Sequence, residues 1–415
     1  YTEMPAFGTV MMKDMTVDQM IAFFKNEPMN FAPGEQWRYN NSAYFLLGAL
    51  IEKVSGQKYA DFVAARIFQP LGMAHSYYGD TAPIIPLRVS GYERQGETVR
   101  NAAYLSMALP YAAGSLLSTV DDLATWNVAL DAGKVVKPQS LARMFTDYTL
   151  NNGKPTSYGY GWILGRYEGR AVQEHSGGIN GFRAHVLRIP AEQVYVAVLS
   201  NVSAAEPDPI VLARKSAAIA IGRPAVDPPP VVLEPAVLER YVGFYRHDNG
   251  NSRTITREGA GLLMLSAGSQ RIALVAYGED RFYRKGGFAR YRFEDYAGGT
   301  ATRLVVDDWG RLDTATRTQP AAERKAATVV PATFDQFVGE YELRPGFVLT
   351  VTRDGDRLMT QATGQAKVEV FPESELKFFL KVADGQITFV KDASGAVTGL
   401  ILHQAGRDRP AKKIK

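Results

Sequence analysis

Two short motifs in the first half of the chain combine residues that could carry out acyl transfer. The first is Tyr39-Asn40-Asn41, and the second is His175-Ser176-Gly177-Gly178. Acyl transfer by a serine requires a base that takes the hydroxyl proton and N–H groups that face the developing oxyanion. A tyrosine can be that base where adjacent cations lower the pKa of its phenol from about 10. A Gly-Gly pair lets the substrate approach the backbone closely.

Regular elements on either side must hold these motifs in place. Capping residues and helical spacing predict a helix over Val17–Phe24, which begins with a Thr16–Gln19 capping box, and a helix over Ala43–Ser55, which Ser42 caps. A third predicted helix covers about Tyr59–Phe68 and stops at Pro70. A fourth begins at Thr119 and Asp122 and continues through Leu130. Apolar runs predict strands over Tyr160–Leu164, Ala184–Ile189 and Val194–Leu199. The first motif therefore precedes a helix, and the second precedes a hairpin.

The order of the short segments around the two motifs carries a family resemblance. These segments are Phe31-Ala32-Pro33-Gly34, Tyr39-x-Asn41 with Leu46-Leu47-Gly48, Pro70-Leu71-Gly72-Met73, Gly114–Leu123, Gly159-Tyr160-Gly161-Trp162 and His175-x-Gly177. Over about residues 1–205 the ordered set resembles class C β-lactamases, penicillin-binding carboxypeptidases, D-aminopeptidases and related esterases. The resemblance implies an α/β (α+β) β-lactamase/transpeptidase-like domain, with the active site between an antiparallel sheet and a helical subdomain.

The resemblance also implies a role for each matching residue. Tyr39 would be the general base or proton relay to the serine, and Asn41 would hydrogen-bond the substrate and the catalytic lysine. His175 would help to position the substrate and tune Tyr39. Gly177 would lie on the edge that the substrate approaches, and the N–H of Gly178 would be one oxyanion donor. The implied reaction forms an acyl-enzyme and hydrolyses it, and we expect it to need no metal and no cofactor.

The family's nucleophile motif, Ser-x-x-Lys, does not occur before Tyr39. Only 38 residues precede Tyr39, and none of them forms the motif. Ser55-Gly56-Gln57-Lys58 and Ser374-Glu375-Leu376-Lys377 match it formally, but both follow Tyr39 and the first straddles a predicted helix end. We therefore expect the nucleophile to lie outside this chain, in an upstream segment that would also supply two strands of the sheet.

The second half of the chain consists of short predicted strands and contains an internal repeat. Tyr241–Tyr245 matches Phe337–Tyr341, and Thr254–Arg257 matches Thr350–Arg353, both at an offset of 96 residues. Each copy reads as a small antiparallel barrel-like module that resembles lipocalin-like domains. The predicted organisation is a hydrolase domain over 1–222, a proline-rich linker over 223–235, β module 1 over 236–317, a second linker over 318–331, and β module 2 over 332–415.

Composition excludes several other functions. The formal charge of +4 is too small and too evenly spread to indicate nucleic-acid binding. The sequence has no uncharged apolar run of about 18 residues, so no membrane-spanning helix is expected. It has no cysteine, which excludes disulfides and thiolate metal sites. Since His75, His185, His247 and His403 share no metal-ligand spacing, we interpret them as structural.

Structural roles compete with the catalytic ones. Asn41 could cap the helix that follows it, because asparagine is a favoured cap. His175 could be a structural histidine with satisfied hydrogen bonds, and the two glycines could serve only a tight turn. Trp37 and Trp162 fit either the core or the wall of a cleft.

The sequence thus predicts a serine hydrolase that acts on an amide or ester, such as a D-amino-acid peptide or amide or a small ester. His175 stands where β-lactamases commonly carry lysine, and a neutral imidazole binds a carboxylate less well than an ammonium does. This favours a peptidase, amidase or esterase over an efficient β-lactamase. The alternative is a non-catalytic penicillin-binding-like protein that recognises peptidoglycan-type peptides. By resemblance, we expect a periplasmic or secreted protein with a small-molecule or peptide substrate, able to form homo-oligomers.

Overall fold

The structure is a computed structural model. It describes residues 1–2, 4, 7–95, 98–247, 252–266, 271–318, 327, 329–344, 347–363, 367–380, 385–404 and 407–415. The chain divides into two compact units: the first contains Tyr1–Glu3, Val10–Val226 and Trp309–Arg311, and the second contains Met4–Thr9, Asp227–Asp308 and Leu312–Lys415. Among the described residues, no helix combines the length and the apolar character needed to cross a membrane.

The α/β architecture predicted for the first half is confirmed. Up to residue 220, the α-helices of the described part are α1 (Phe7–Val10), α2 (Val17–Phe24), α3 (Asn41–Ser55), α4 (Tyr59–Val63), α5 (Gln69–Leu71), α6 (Val120–Asp131), α7 (Pro138–Met144) and α8 (Pro209–Ala220). The strands there are β1 (Tyr77–Tyr78), β2 (Tyr92–Gln95), β3 (Thr98–Asn101), β4 (Leu116–Leu117), β5 (Ile163–Tyr167), β6 (Arg170–Ile179), β7 (Phe182–Ile189) and β8 (Val194–Ser200). The last four form an antiparallel sheet in the order β5-β6-β7-β8.

The helix after the first motif begins two residues earlier than the sequence predicted, and Ser42 is not its cap. Asn40 is extended, and its side-chain oxygen accepts hydrogen bonds from the backbone N–H groups of Ser42 (2.7 Å) and Ala43 (3.2 Å). These bonds satisfy donors of the first turn that have no partner within the helix. As a result, α3 starts at Asn41, and Gly56 ends it with a φ of +70°.

Two other predicted boundaries were wrong. The predicted third helix does not stop at Pro70: α4 is followed by a π-helical turn over Ala64–Phe68, and α5 runs on to Leu71. Pro70 lies at the start of α5, and its fixed φ is compatible with helical backbone. The predicted strand over Tyr160–Leu164 begins only at Ile163, since Gly161 upstream of it has a left-handed φ of +79°.

The predictions for α2 and α6 agree with the structure. Thr16 and Gln19 form the expected capping box before α2. Thr119 caps α6 by accepting a hydrogen bond from the N–H of Asp122. The carboxylate of Asp122 also accepts hydrogen bonds from the His75 N–H (2.8 Å) and the Ser76 hydroxyl (2.7 Å), which ties α6 to the segment before β1.

Opposite faces of the sheet pack against different helices. Successive residues of a strand point to opposite faces, and the β6–β7 register pairs Glu174 with Leu187. Glu174 contacts Arg214 of α8, whereas Arg188 contacts Asp131 of α6. The sheet therefore lies between α8 on one face and α6 on the other.

The second half contains two closed eight-stranded antiparallel barrels, as the repeat predicted. After α9 (Pro235–Glu239), the first barrel consists of β9 (Gly243–His247), β10 (Ser252–Glu258), β11 (Gly261–Ser266), β12 (Ile272–Ala276), β13 (Arg281–Tyr283), β14 (Arg290–Ala297), β15 (Thr300–Asp308) and β16 (Arg311–Thr318). The second consists of β17 (Gly339–Arg344), β18 (Phe347–Asp354), β19 (Arg357–Ala362), β20 (Val368–Pro372), β21 (Lys377–Leu380), β22 (Gly385–Lys391), β23 (Val397–Gln404) and β24 (Arg407–Lys413). In the predicted second linker, residues 319–326 and 328 lie outside the described part.

The two barrels share individual interactions as well as topology. The hydroxyl of Tyr245 donates to the carbonyl of Tyr241 (2.9 Å), and the equivalent Tyr341 donates to Phe337 (2.8 Å). Each tyrosine is fully buried within the apolar core of its own barrel. The repeat therefore encodes a buried tyrosine whose one polar atom is satisfied locally, as burial requires.

Candidate active site

The structure brings Tyr39 and His175 together, although they lie far apart in the sequence. Tyr39 lies just before α3, and His175 lies on β6. Their ring centroids are 5.9 Å apart, with the planes inclined at 41°. Tyr39 is 46% exposed, so its phenol faces a surface that a ligand can reach. The two predicted side chains thus share one site.

Asn41 is not needed as a helix cap. Because Asn40 performs that role, the amide of Asn41 lies in the first turn of α3 with its Nδ2 atom 3.5 Å from the hydroxyl of Thr2. The neighbouring Ser42 hydroxyl accepts a hydrogen bond of 2.6 Å from the main-chain nitrogen of Tyr1. The capping role proposed for Asn41 is therefore wrong, and its amide contacts Thr2 instead.

Residues His175 to Gly178 lie inside strand β6, at a position where only one side of the strand is covered. β7 pairs with β6 from Gln173 to Ile179, whereas β5 pairs with it only from Arg170 to Glu174. Beyond Glu174, backbone N–H and C=O groups on the β5 side of the strand can therefore meet a ligand. Among the described residues, β5 leaves this stretch of β6, which contains Gly177 and Gly178, unpaired on one side.

The two glycines differ in the space around them. A Cβ atom on Gly178 would come within 2.4 Å of Nη1 of Arg183, the residue opposite it on β7. A Cβ atom on Gly177 would meet Ala184 at 3.8 Å, an ordinary contact. Both glycines are exposed, so Gly177 leaves open space beside the strand edge rather than filling a tight turn.

The hydrogen bonds of His175 define its tautomer. Its Nδ1 lies 2.8 Å from the carbonyl oxygen of Ser176, and its Nε2 lies 2.8 Å from the hydroxyl of Tyr158. A carbonyl can only accept, so Nδ1 must carry a proton. Burial lowers the pKa of His175, an effect that the carbonyl of Ser176 and the charge of Glu174 oppose. The imidazole is therefore neutral, and Nε2 accepts the hydrogen bond that Tyr158 donates.

Tyr158 is a site residue that sequence reasoning missed. Its side chain is buried, its hydroxyl contacts His175, and its ring packs against Trp37 at 5.1 Å and Tyr39 at 6.5 Å. Burial raises the pKa of Tyr158 above its ordinary value, which keeps its hydroxyl protonated as a donor. The only signal in the sequence was its position next to the Gly159-Tyr160-Gly161-Trp162 segment.

The two tryptophans left open by the sequence take different roles. Trp37 is 39% exposed and lies against Tyr158, so it forms part of the wall of the site. Trp162 is buried, stacks on Trp126 at 6.0 Å and meets Phe145 edge-on. Trp162 therefore belongs to the core that supports the site.

Tyr39 lacks the electrostatic environment expected of a base within this chain. Burial, and to a smaller extent the neighbouring Tyr44, raises the pKa of Tyr39. A phenol becomes a base near neutral pH only if a nearby cation favours the phenolate. The prediction that adjacent cations lower the pKa is not met by the described residues, so such a cation would have to come from elsewhere.

A buried ionic cluster that was not predicted from the sequence includes Glu174, the residue before the second motif. Glu174 accepts hydrogen bonds from Arg214 (3.1 Å to Oε2 and 2.5 Å to Oε1) and lies 3.2 Å from Nε2 of His185. All three side chains are at most 9% exposed. Burial opposes ionisation of Glu174, but the hydrogen bonds from His185 and Arg214 outweigh it and lower the pKa to about 2. This cluster fixes β6 to α8 immediately before His175.

The segment Ser55-Gly56-Gln57-Lys58, which formally matches Ser-x-x-Lys, lies at the end of a helix. Ser55 is the last residue of α3, and its hydroxyl donates to the carbonyl of Ile51 at 2.7 Å.

In the described part of the chain, no group of three or more His, Cys, Asp or Glu side chains is arranged to hold a metal ion.

Comparison with known proteins agrees with this arrangement. The Beta-lactamase family model matches residues 3–221, and a model described as Domain of unknown function (DUF3471) matches residues 323–413. The first match spans both motifs, and the second spans the second barrel.

Individual relatives are similar over part of their length. A penicillin-binding protein of Bacillus subtilis (strain 168) is 29% identical over 276 residues, 61% of this chain and 60% of the relative. A D-aminopeptidase of Gluconobacter oxydans (strain 621H) is 27% identical over 228 residues, 55% of this chain and 42% of the relative. The chain thus spans about half the length of these relatives. An octameric penicillin-binding protein homologue from Pyrococcus abyssi matches 73% of this chain and 71% of its own, at 25% identity and a TM-score of 0.47.

Proposed function

The chain belongs to the beta-lactamase family, and from that membership we propose that it is the larger part of a serine hydrolase that works through an acyl-enzyme. The observation that carries the proposal is the convergence of Tyr39 and His175, 5.9 Å apart, beside a strand edge that β5 leaves uncovered. A phenol, an amide and backbone donors beside one strand edge form the arrangement that acyl transfer needs. The serine itself would come from a segment upstream of Tyr1.

In the proposed mechanism, the serine oxygen attacks the carbonyl carbon of the substrate while Tyr39, as phenolate, takes the hydroxyl proton. The N–H of Gly178 and the N–H of the serine stabilise the oxyanion, and Asn41 holds the substrate amide. Tyr39 then gives its proton to the leaving amine or alcohol as the acyl-enzyme forms. Water attacks the acyl-enzyme by the same route, with Tyr39 again taking the proton, and this step releases the acid and restores the serine.

This mechanism assigns the missing cation to the upstream segment. Burial raises the pKa of Tyr39 in the described structure, so a positive charge near its hydroxyl is required to populate the phenolate at neutral pH. The lysine of the Ser-x-x-Lys motif implied by the family resemblance would lie one helical turn from the serine and supply that charge. The upstream segment would therefore supply both the nucleophilic serine and the cation.

The proposed substrates are amides and esters whose reacting end carries no negative charge, such as D-amino-acid amides, peptides and small esters. The imidazole of His175 is neutral, so it offers a substrate carboxylate little attraction compared with an ammonium group. The similarity to a protein named D-aminopeptidase agrees with this class. An efficient β-lactamase, which acts on carboxylate-bearing substrates, is disfavoured.

The test is hydrolysis by purified protein that includes the upstream segment. We expect p-nitrophenyl esters and D-amino-acid amides to be cleaved with a higher kcat/KM than cephalosporins. Tyr39→Phe should reduce kcat by roughly a hundredfold or more, because it removes the base. The control Tyr160→Phe, which removes an exposed hydroxyl bonded to Arg143, should leave it unchanged. A clear preference for cephalosporins would refute the substrate class.

A non-catalytic function is the second candidate, and one observation favours it. Burial raises the pKa of Tyr39 in the described structure, which opposes a role of its phenol as base. The protein would then bind peptidoglycan-type peptides along the β6 edge without cleaving them. The upstream coding sequence separates the two: a Ser-x-x-Lys there supports the enzyme, and its absence supports the binding protein.

We also propose that the protein acts in the periplasm or as a secreted protein, since its relatives include a bacterial penicillin-binding protein. Cell fractionation tests this directly: recovery only in the cytoplasmic fraction would refute it. Light scattering on the purified protein decides whether the chain forms the homo-oligomer expected from the resemblance.

A further inference from the structure

Hydrogen bonds connect Tyr158 with the second motif. The Tyr158 hydroxyl lies 2.8 Å from Nε2 of His175, and Nδ1 of His175 lies 2.8 Å from the carbonyl of Ser176. Both ring nitrogens of His175 are therefore engaged by groups of the protein itself.

The direction of each hydrogen bond follows from the carbonyl of Ser176, which can only accept. The Ser176 carbonyl requires a proton on Nδ1 of His175, so a neutral ring has its lone pair on Nε2. Tyr158 must then donate to Nε2. An isolated imidazole carries its proton on either nitrogen, but here the partner of each nitrogen selects one form.

We propose that Tyr158 is a positioning residue that holds His175 as the neutral Nδ1–H imidazole and thereby makes the site select against substrates with a carboxylate next to the scissile bond. The substrate half of this inference rests on the proposed serine hydrolase function. The half that concerns His175 rests only on the hydrogen bonds of the described residues.

The other groups around His175 differ in their effect on its charge. Tyr158 faces it with a neutral ring, since burial raises the pKa of that phenol, and His185 on β7 disfavours protonation of His175. The ionised carboxylate of Glu174, which precedes His175 on β6, raises the pKa of His175 and so opposes the lowering by burial. A substrate carboxylate would thus meet a neutral ring with no free N–H and, behind it, a buried negative charge.

Removal of the Tyr158 hydroxyl should make the neutral, Nδ1-protonated form of His175 less stable. A donor to Nε2 stabilises the neutral ring, so its loss raises the pKa of His175 toward the ordinary value. Nε2 then becomes free to carry a proton and to donate to a ligand. Tyr158→Phe keeps the aromatic ring that packs on Trp37 and Tyr39, so this variant changes the hydrogen bond with little change in packing.

The direct test is ¹⁵N NMR of the five histidines in the full chain, with His175 assigned from a His175→Gln variant. We expect the wild-type His175 signal at pH 7 to report a neutral ring protonated on Nδ1. In Tyr158→Phe, titration should move to higher pH, and the Nδ1–H form should no longer dominate. Tyr160→Phe, a matched control in the same loop, should reproduce the wild type. A wild-type ring that is cationic or protonated on Nε2 at pH 7 overturns the proposal, even if the variant does not fold.

The substrate half is tested with D-alanyl-D-alanine and its C-terminal amide, on protein that includes the upstream segment. We expect wild type to favour the amide, and Tyr158→Phe to reduce the amide-to-acid ratio of kcat/KM by roughly tenfold at pH 6, mainly through KM for the acid. An unchanged ratio refutes the role in selectivity. If wild type hydrolyses neither compound nor any ester, the proposed function fails and the substrate half fails with it, whereas the NMR result still decides the state of His175.

Discussion

Replacement of Arg214 by methionine should destabilise the first unit strongly, because Arg214 is the main charged partner of a buried carboxylate. Two hydrogen bonds join it to Glu174, whose side chain is 3% exposed, and His185 is the third member of the cluster. Methionine fills similar space but can make neither bond. The substitution leaves Glu174 buried with His185 as its remaining partner in the cluster.

The pKa of Glu174 sets the size of the effect. Hydrogen bonds from both His185 and Arg214 lower its value from an ordinary 4.5 to about 2 in the folded protein, and the whole shift corresponds to about 3 kcal/mol of stability at neutral pH. Removal of one partner of a buried ion pair costs a similar amount, about 3–5 kcal/mol. We therefore expect Arg214→Met to lower the free energy of unfolding of the first unit by about 3 kcal/mol at pH 7.

The pH dependence gives a second check on the same cause. The folded pKa is depressed, so the contribution of Glu174 is complete above the unfolded value of 4.5 and disappears as the pH falls through about 2. At pH 3 about 1 kcal/mol of it should remain. The difference between wild type and Arg214→Met should therefore shrink by more than half from pH 7 to pH 3.

Urea unfolding followed by tryptophan fluorescence measures these differences, and a double-mutant cycle with Glu174→Gln isolates the coupling between the two residues. Arg170→Met is the matched control, since it removes an arginine of β6 whose bond to Glu192 is partly exposed. The control should cost less than about 1 kcal/mol. A cost below about 1 kcal/mol for Arg214→Met at pH 7, or the same cost at pH 3, would show that the cluster does not hold β6 in place.

Two further substitutions test the elements that carry the site. Gly181→Ala should destabilise the β6–β7 hairpin by about 3 kcal/mol in thermal unfolding, because the φ of Gly181 is +79° and the new Cβ would lie 2.6 Å from the backbone of Gly91. The control Gly169→Ala, at φ +76° but in open space, should cost only about 1 kcal/mol. Equal costs for the two substitutions would contradict the packing argument. Asn40→Ala should lower the free energy of unfolding by about 1 kcal/mol through loss of the cap of α3. Asn41→Ala should leave stability unchanged and lower kcat/KM by roughly tenfold or more. The opposite pattern would show that Asn41, and not Asn40, caps the helix.

Most of the fold was predictable because its signals are local or repeated. The 96-residue repeat predicted both barrels, since matching tyrosines and glycines recur at equivalent places in each copy, such as Gly259 and Gly355 with φ of +58° and +60°. Helix starts were predicted well where one capping pattern dominated, as at Thr16. They were predicted wrongly where Asn40, Asn41 and Ser42 are all favoured caps, because only the backbone conformation selects among them.

The site was predictable only where a motif marks it. Tyr39, Asn41 and His175 stand in recognisable triplets, and the structure brings Tyr39 and His175 into contact. Tyr158 and Arg214 carry no such marker, since each acts through a partner distant in sequence that only the folded sheet brings near. The pKa of Tyr39 could not be anticipated either, because it depends on burial and on charges contributed by other segments.

Mass-spectrometric mapping of a fluorophosphonate adduct, on protein extended upstream of Tyr1, would locate the nucleophile directly. We expect a single modified serine that lies before Tyr1 and is followed three residues later by lysine, with labelling that is lost in Tyr39→Phe and retained in Tyr160→Phe. An adduct on a residue of the 1–415 chain, or labelling that does not depend on the Tyr39 hydroxyl, would contradict a shared site for Tyr39, His175 and an upstream serine.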